Sequence, residues 1–187
     1  MRIVGGAFGG RRLAAPAGRT TRPTADRVRQ ALFDILAHAE WARSGAGRDA
    51  IAGARVLDGF AGSGALGLEA LSRGAAEAVF FETDTRARRA LAANIAACGV
   101  ARETRIIAES VLRPPAGSAC TLVFFDPPYG EASLPERALA ALRAGGWIAP
   151  GALLVVETAA EQAVPQLGSL LAERRIGAAR IGFLRLP

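Results

Sequence analysis

Along residues 54–187, short runs of apolar residues alternate with longer segments whose apolar residues recur at helical spacing. Continuous apolar runs such as Leu122-Val123-Phe124-Phe125 are typical of parallel strands that are covered on both faces. The pattern predicts an α/β fold with a doubly wound, mostly parallel sheet. Strands are predicted at residues 54–58, 77–82, 104–108, 121–126 and 152–157, and residues 171–186 would add one or two more. Helices are predicted at residues 65–73, 85–97, 133–144 and 160–171.

Residues 1–53 follow a different pattern. Short strands at 2–4 and 11–14, separated by a glycine-rich turn, predict a β-hairpin. Thr24 is a suitable N-cap for a helix, and residues 43–53 have the composition of a linker. The helix would expose arginines on one face and bury a stripe formed by Val28, Ala31, Leu32, Ile35 and Leu36.

The net positive charge lies entirely in the N-terminal part of the chain. All 23 basic residues are arginine, and the formal net charge is +6. Residues 1–55 hold ten arginines against four acids, whereas residues 56–187 hold thirteen of each. A basic segment beside a neutral body favours a polyanion such as nucleic acid as its partner, with a solvated tail as the alternative.

Composition excludes several other classes of protein. No apolar run approaches the ~20 residues of a membrane span, and the N-terminus lacks the apolar core of a signal peptide. Cys98 and Cys120 are too few for a disulfide framework or a zinc site, so we expect buried thiols and no bound metal. These features predict a cytoplasmic protein.

Residues 54–71 combine a short buried strand that ends at Asp58, a glycine-rich turn and the start of a helix. Gly62, Gly64 and Gly67 match the spacing G-x-G-x-x-G, which lets a backbone turn tightly and approach a ligand closely. This indicates a loop that binds a nucleotide-type cofactor. An ordinary strand-to-helix turn is the alternative, because the chain contains 22 glycines.

A second strand ends in a residue suited to the same ligand. The carboxyl ends of parallel strands form one edge of a sheet, where ligands bind. Glu82 follows Gly62 by 20 residues, about the spacing at which an acid meets ribose hydroxyls. We therefore expect Glu82 to bind a ribose, with a surface acid as the alternative.

The most specific segment runs from Phe124 to Tyr129, after the fourth predicted strand. Two prolines fix the backbone and remove two donors, so the Asp126 carboxylate and the Pro127 carbonyl offer acceptors to one spot. Tyr129 offers a flat face for stacking. Such a site suits a planar group that bears an amine, whose lone pair it would direct toward an electrophile. A proline turn with an incidental acid is the alternative.

Together these segments resemble class I S-adenosylmethionine-dependent methyltransferases that methylate exocyclic amines of nucleobases. Within that class, the chain resembles the bacterial 16S rRNA guanine-N2 methyltransferase family (RsmD-like). The resemblance covers nearly the whole chain and is weak after about residue 157. It is carried by residues 2–13, 22–33, 60–74 and 126–129.

The resemblance implies a Rossmann-like fold with a seven-stranded sheet and a small N-terminal hairpin and helix. Residues 1–53 would bind RNA, and residues 54–187 would form the methyltransferase domain. The implied reaction is methylation of N2 of a guanine, guanine 966 of 16S rRNA in the family. The partner would be an assembled or assembling small ribosomal subunit, and we expect the protein to be a monomer.

The resemblance also implies how S-adenosylmethionine is held. Glu82 would bind its ribose. A family acid that meets the adenine is replaced here by Ser110, so the backbone of Val111 is expected to serve instead. The methionine end would be held by Asp58, Phe60, Ala61, Gly62, Ser63 and Gly64.

In the target site that the resemblance implies, Asp126 and the Pro127 carbonyl hold the amine. Pro128 completes the turn, and Tyr129 stacks on the base. Because a carboxylate has two acceptor oxygens, Asp126 can accept from both N1–H and N2–H of a guanine.

The arginines of the N-terminal part are expected to contact RNA phosphates. A base in folded RNA must also be splayed out before it can reach the target site. The candidate RNA-binding residues are Arg11, Arg12, Arg19, Arg22, Arg27 and Arg29.

Three other functions stay open at this point. A DNA adenine-N6 methyltransferase is compatible with the Asp126 turn, but the residues before the core leave no room for a separate sequence-reading domain. A nicotinamide-dependent oxidoreductase explains the glycine loop and Glu82 but leaves that turn without a role. A non-catalytic RNA-binding module would need neither the intact loop nor the turn.

Overall fold

The computed structural model describes residues 1–15, 23–43, 49–128 and 131–187, without the side chains of residues 23–25. Several predictions fall outside these ranges: the roles of Arg19, Arg22 and Tyr129, and residues 44–48 of the predicted linker. The predicted N-cap at Thr24 is wrong, because the helix already begins at Pro23, a residue whose fixed φ suits the first turn. The described strands are β1 (Arg55–Asp58), β2 (Glu77–Phe81), β3 (Thr104–Ile107), β4 (Cys120–Phe125), β5 (Ile148–Ala159), β6 (Ser169–Ile176) and β7 (Ala179–Arg185). The described α-helices are α1 (Pro23–His38), α2 (Ala65–Ser72), α3 (Thr85–Cys98) and α4 (Leu134–Ala144).

The seven strands form one sheet in the order β3-β2-β1-β4-β5-β7-β6. Strands β1 to β5 are parallel, and β7 pairs antiparallel with both β5 and β6. This confirms the predicted doubly wound, mostly parallel α/β fold. The strand order reverses between β1 and β4, which is the position where such sheets bind ligands.

One predicted helix is absent. Residues 160–171 were expected to be helical from their apolar spacing, but β5 extends to Ala159 and β6 begins at Ser169. Pro165 lies inside the segment and cannot donate to a helix. Gly168 lies so close to the backbone of Arg185 that a side chain would not fit. The segment therefore connects two strands, and the antiparallel β6–β7 pair confirms the late strands predicted after residue 171.

The N-terminal hairpin is reduced to a single antiparallel bridge between Arg2 and Arg12. A 3-10 turn (Gly6–Phe8) lies between the two sides. Gly6 has a positive φ of 74°, and a side chain there would overlap the carbonyl of Ser72 at the end of α2. The hairpin is therefore seated directly on α2.

The N-terminal extension shares its core with the sheet. One hydrophobic cluster contains Ile3, Leu13 and Phe33 of the extension together with Phe80 and Phe124 of the sheet. The rings of Phe33 and Phe124 lie 5.5 Å apart. The division of the chain near residue 53 thus remains a prediction about function, because packing joins the two parts. A second cluster on the other face of the sheet contains Leu139 and Leu142 of α4 and Trp147.

Glu69 of α2 fastens the extension electrostatically. Its side chain is fully buried, and its two carboxylate oxygens accept from the backbone N–H groups of Val4 (2.7 Å) and Gly5 (2.9 Å). Arg73 pairs with it at 2.8 Å, and Arg29 of α1 lies at 3.6 Å. One buried carboxylate thereby joins the hairpin, α1 and α2.

We predict that Glu69→Gln lowers the free energy of unfolding by about 3 kcal/mol, because it removes the buried charge shared by Arg29 and Arg73 and sets an amide NH₂ group against a backbone N–H. The two arginines keep Asp26 and Asp34 as partners, at 2.7 Å and 3.6 Å. The matched control is Glu77→Gln, whose partner Arg55 lies at 3.2 Å in a partly exposed pair. That change should cost less than about 1 kcal/mol. Urea unfolding of both variants checks this, and equal losses would contradict it.

Candidate active site

The turn between β1 and α2 depends on three glycines. Gly62 and Gly64 have positive φ angles of 55° and 80°. A side chain at Gly64 would overlap Leu91, and one at Gly67 would overlap the ring of Phe80 in β2. The first two glycines thus permit the turn, and the third lets α2 pack closely on the sheet.

Asp58 lies at the carboxyl end of β1 and is only 1% exposed. Its Oδ2 accepts from the Gly67 N–H at 3.3 Å, and its Oδ1 has no hydrogen-bond partner among the described residues. Burial raises the pKa of Asp58 to about 7; the Gly67 N–H opposes this shift, and the negative charge of Asp126 adds to it. An unpaired buried carboxylate oxygen favours a positively charged donor as its ligand.

Glu82 comes directly after β2 and faces the glycine loop. Its carboxylate accepts from the N–H of Gly62 at 2.7 Å and from the N–H of Asp84 at 2.8 Å. The side chain is half-buried. Each oxygen retains a second lone pair, so the carboxylate can still accept from a hydroxyl next to the loop.

Three further candidate cofactor residues lie in the segments that follow β1 and β3. The ring of Phe60 lies edge-on to Phe125, with 5.6 Å between the centroids. After β3, the Ser110 hydroxyl accepts from the N–H of Leu112 at 3.2 Å, and Val111 is buried. Ser110 therefore shapes its own turn, and its predicted contact with a cofactor stays a prediction.

The Asp126 turn follows β4, which is the neighbour of β1. Asp58 is paired with Phe124 in the sheet register, so the two strands end side by side. Asp126 is exposed, Pro127 is buried, and Pro128 is exposed. The influence of Asp126 on the pKa of Asp58 shows that the two carboxylates share one electrostatic environment.

An open cleft of about 550 Å³ adjoins the Asp126 turn. It extends from the turn to the start of α4 and to the segment after β5. Its lining includes Pro127, Pro128, Pro135, Glu157, Thr158 and Val164. Its lining includes the two prolines of the turn but neither Asp126 nor the glycine loop, so the cleft adjoins the turn on its proline side.

The described arginines of the N-terminal part divide into two groups. Arg12 and Arg27 are exposed, as is Arg11, which donates to the carbonyl of Ala97 and lies over the ring of Phe8. The prediction that Arg29 contacts phosphate is wrong, because its side chain is buried against Asp26 and Glu69. Val28, Leu32, Phe33 and Leu36 share its buried helix face.

Two residues were missed at the sequence level. Arg2, with a side chain that is 65% exposed, lines the same surface recess as Arg27. Asn94 is 2% exposed and lies among the apolar residues Leu91, Ile95 and Cys98 of α3. The signal for Asn94 was a polar side chain on the apolar face of a helix.

The site contains a glycine loop with an acid at the end of β1, and the Asp-Pro-Pro turn at the end of the adjacent β4. With this fold, it defines a class I methyltransferase. The rRNA methyltransferase aviRa from Streptomyces viridochromogenes has the same fold, with a TM-score of 0.70 at 17% identity over 92% of this chain and 88% of its own.

The chain belongs to the family described as "Conserved hypothetical protein 95", whose model matches residues 1–184. Ribosomal RNA small subunit methyltransferase D of Escherichia coli K12 is 41% identical over 167 residues, which cover 88% of this chain and 78% of that protein. The solved structure of the Escherichia coli protein yhhF has a TM-score of 0.79 at 38% identity, over 100% of this chain and 98% of its own. The resemblance to the RsmD-like family is thereby confirmed.

In the described ranges, no group of three or more histidine, cysteine, aspartate or glutamate residues could hold a metal ion. No helix of the described chain is long and apolar enough to cross a bilayer.

Asp58 predicts an unusual dependence of stability on pH. Its carboxyl group binds a proton more tightly in the folded than in the unfolded protein, so protonation stabilises the fold. This contribution is present at low pH and is lost as the pH rises through about 7. Between pH 5 and pH 8, the wild type should lose about 2.5 kcal/mol of unfolding free energy relative to Asp58→Asn. Urea unfolding of both proteins across this range checks the prediction, which parallel pH curves would contradict.

Proposed function

We propose that this protein transfers a methyl group from S-adenosylmethionine to the exocyclic N2 amine of a guanine in 16S rRNA of the small ribosomal subunit. One observation carries the proposal: the glycine loop with Asp58 and the Asp126 turn open at the same edge of the sheet, on neighbouring strands. The name of the Escherichia coli relative, a small subunit rRNA methyltransferase, supports the choice of substrate.

The residues at the end of β1 fit the proposed cofactor. The unpaired Oδ1 of Asp58 is suited to the ammonium group of its methionine part, and Glu82 is suited to its ribose hydroxyls. A side chain at Gly62 would meet no atom, so the loop leaves open space on that side. When bound, S-adenosylmethionine supplies an activated methyl group for transfer.

The target amine is proposed to bind at the Asp126 turn. Its nitrogen is conjugated with the base and is a weak nucleophile until its hydrogens are held and its lone pair is directed. The Asp126 carboxylate and the Pro127 carbonyl accept from those hydrogens. Asp126 also accepts from N1–H, the neighbouring donor of guanine, and Tyr129 is proposed to stack on the ring.

The N-terminal arginines are proposed to hold the RNA. The exposed Arg11, Arg12 and Arg27 lie on the extension, together with Arg2. Arg19 and Arg22 belong to the same proposal from their position in the chain. Phosphate contacts of this kind orient an RNA without reading its sequence, and the base itself must be splayed out to enter the cleft.

The competing functions make different demands. Adenine presents an acceptor at N1, so a carboxylate that must accept two adjacent donors favours guanine over adenine. An oxidoreductase would have no use for the acceptors of the Asp126 turn. These differences support the proposed reaction over adenine methylation and over an oxidoreductase.

We predict that the purified protein transfers tritium from labelled S-adenosylmethionine to small ribosomal subunits from cells that lack the enzyme. Mapping of the modified base should place the label on guanine N2, at guanine 966 by the family resemblance. Subunits from cells that contain the enzyme serve as the control and should accept little label. Transfer to double-stranded DNA and not to subunits would overturn the proposal.

We also predict that Asp126→Ala lowers kcat/KM for this transfer by about 100-fold, from the loss of two charge-assisted hydrogen bonds. Asp126→Asn should lose nearly as much with guanine, because its amide offers only one acceptor oxygen. Subunits reconstituted with 2-aminopurine at the target distinguish the roles, since this base keeps the N2 amine but has an acceptor at N1. The asparagine variant should prefer 2-aminopurine more than the wild type does. Full activity of Asp126→Asn with guanine would refute the two-acceptor role.

A further inference from the structure

The buried side chain of Asn94 in α3 joins the glycine loop to the N-terminal extension. Its Nδ2 donates to the carbonyl of Ser63 in the loop at 2.9 Å and to the carbonyl of Ala14 in the extension at 3.0 Å. Its Oδ1 accepts from the N–H of Ala14 at 2.7 Å. The amide therefore uses both of its hydrogens and its oxygen on two different parts of the protein.

This arrangement requires an asparagine. The site needs two donors and one acceptor on a short side chain, and an aspartate would place carboxylate oxygens against two carbonyls. A leucine would leave the polar backbone of Ala14 and Ser63 without a buried partner. A purely structural side chain at this depth would more commonly be apolar, like its neighbours Leu91 and Ile95.

The two parts that Asn94 joins carry different proposed tasks. Ser63 belongs to the loop proposed to hold the cofactor. Ala14 lies immediately before the stretch that contains Arg19 and Arg22, proposed to hold RNA. A second contact joins the same parts, because the Ser63 hydroxyl lies 3.8 Å from the sulfur of Met1.

We infer that Asn94 is a positioning residue that makes the binding of cofactor and of RNA cooperative. The inference rests on the proposed function, because it requires both ligands. Cofactor binding fixes the loop and hence Ser63, which fixes Asn94 and the start of the RNA-binding stretch. RNA that contacts the exposed Arg11 and Arg12 of the extension would then meet them in the position set through Ala14, and the same coupling must operate in reverse.

The extension has other anchors that do not touch the loop, and these provide a matched control. The hydroxyl of Ser72 in α2 accepts from the N–H of Phe8 at 2.9 Å and donates to the carbonyl of Gly5. Removing it loosens the extension without breaking the link to Ser63. Substitution of Ser72 thus tests the effect of a loosened extension alone, whereas substitution of Asn94 also breaks the link between the extension and the glycine loop.

The experiment measures the affinity for unmodified small ribosomal subunits with and without saturating S-adenosylhomocysteine, which cannot donate a methyl group. We expect the wild type to bind about 5- to 20-fold more tightly with it, within the usual range of coupling between sites. In Asn94→Ala this ratio should fall to about one. Ser72→Ala should keep the wild-type ratio, even if both of its affinities are weaker.

A second variant guards against a folding defect in Asn94→Ala. Ala14→Pro, at an exposed position outside α3, removes the N–H that donates to Asn94 Oδ1 but keeps the Ala14 carbonyl, so it should lower the ratio without bringing it to one. Thermal unfolding identifies variants that are folded at the assay temperature. A wild-type ratio of one, or a folded Asn94→Ala or Ala14→Pro protein that keeps the wild-type ratio, would overturn the inference. Failure of the proposed function is recognised separately, by wild-type protein that does not methylate the subunits.

Discussion

A buried carboxylate at the end of β1 is the constraint on which the rest of the site depends. Asp58 lies in the core with one oxygen unpaired among the described residues, and an ionised carboxylate in that position destabilises the protein. The raised pKa expresses that cost. The fold tolerates it because the glycine turn and α2 are packed tightly around the strand end, with Gly67 against Phe80. Under the proposed function, the cationic group of the cofactor would offset this cost of burial.

The same tight packing explains why the basic extension is part of the body. Its apolar residues Ile3 and Leu13 complete the core on one face of the sheet. The Glu69 carboxylate of α2 accepts hydrogen bonds from two of its backbone N–H groups. A loosely attached arginine-rich tail could hold RNA but could not orient it. An extension seated on α2 and α3 holds Arg11 and Arg12 at a fixed place relative to the sheet.

The sequence was sufficient to predict the parallel strands, since their apolar runs are continuous and their ends carry the glycine loop, Glu82 and the Asp126 turn. It failed for residues 160–171, where helical spacing of alanines outweighed the breaking effect of Pro165. It also failed for Arg29, because a buried arginine is recognisable only with its partner. That partner, Glu69, is far away in the sequence, and so are the partners of Asn94. Pairings at such separation follow from the packing of elements and leave no local pattern.

The architecture also relates the proposed RNA-binding stretch to both halves of the candidate active site. The helix α1 begins just after the stretch with Arg19 and Arg22, and its Phe33 packs on Phe124, two residues before Asp126. Before that stretch, Ala14 is fixed to the glycine loop through Asn94. The stretch is therefore tied at one end to the strand of the amine-holding turn and at the other end to the loop. Under the proposed function, RNA bound to this stretch would be positioned relative to both halves of the active site. The choice of target base would then depend on the shape of the RNA as well as on the base.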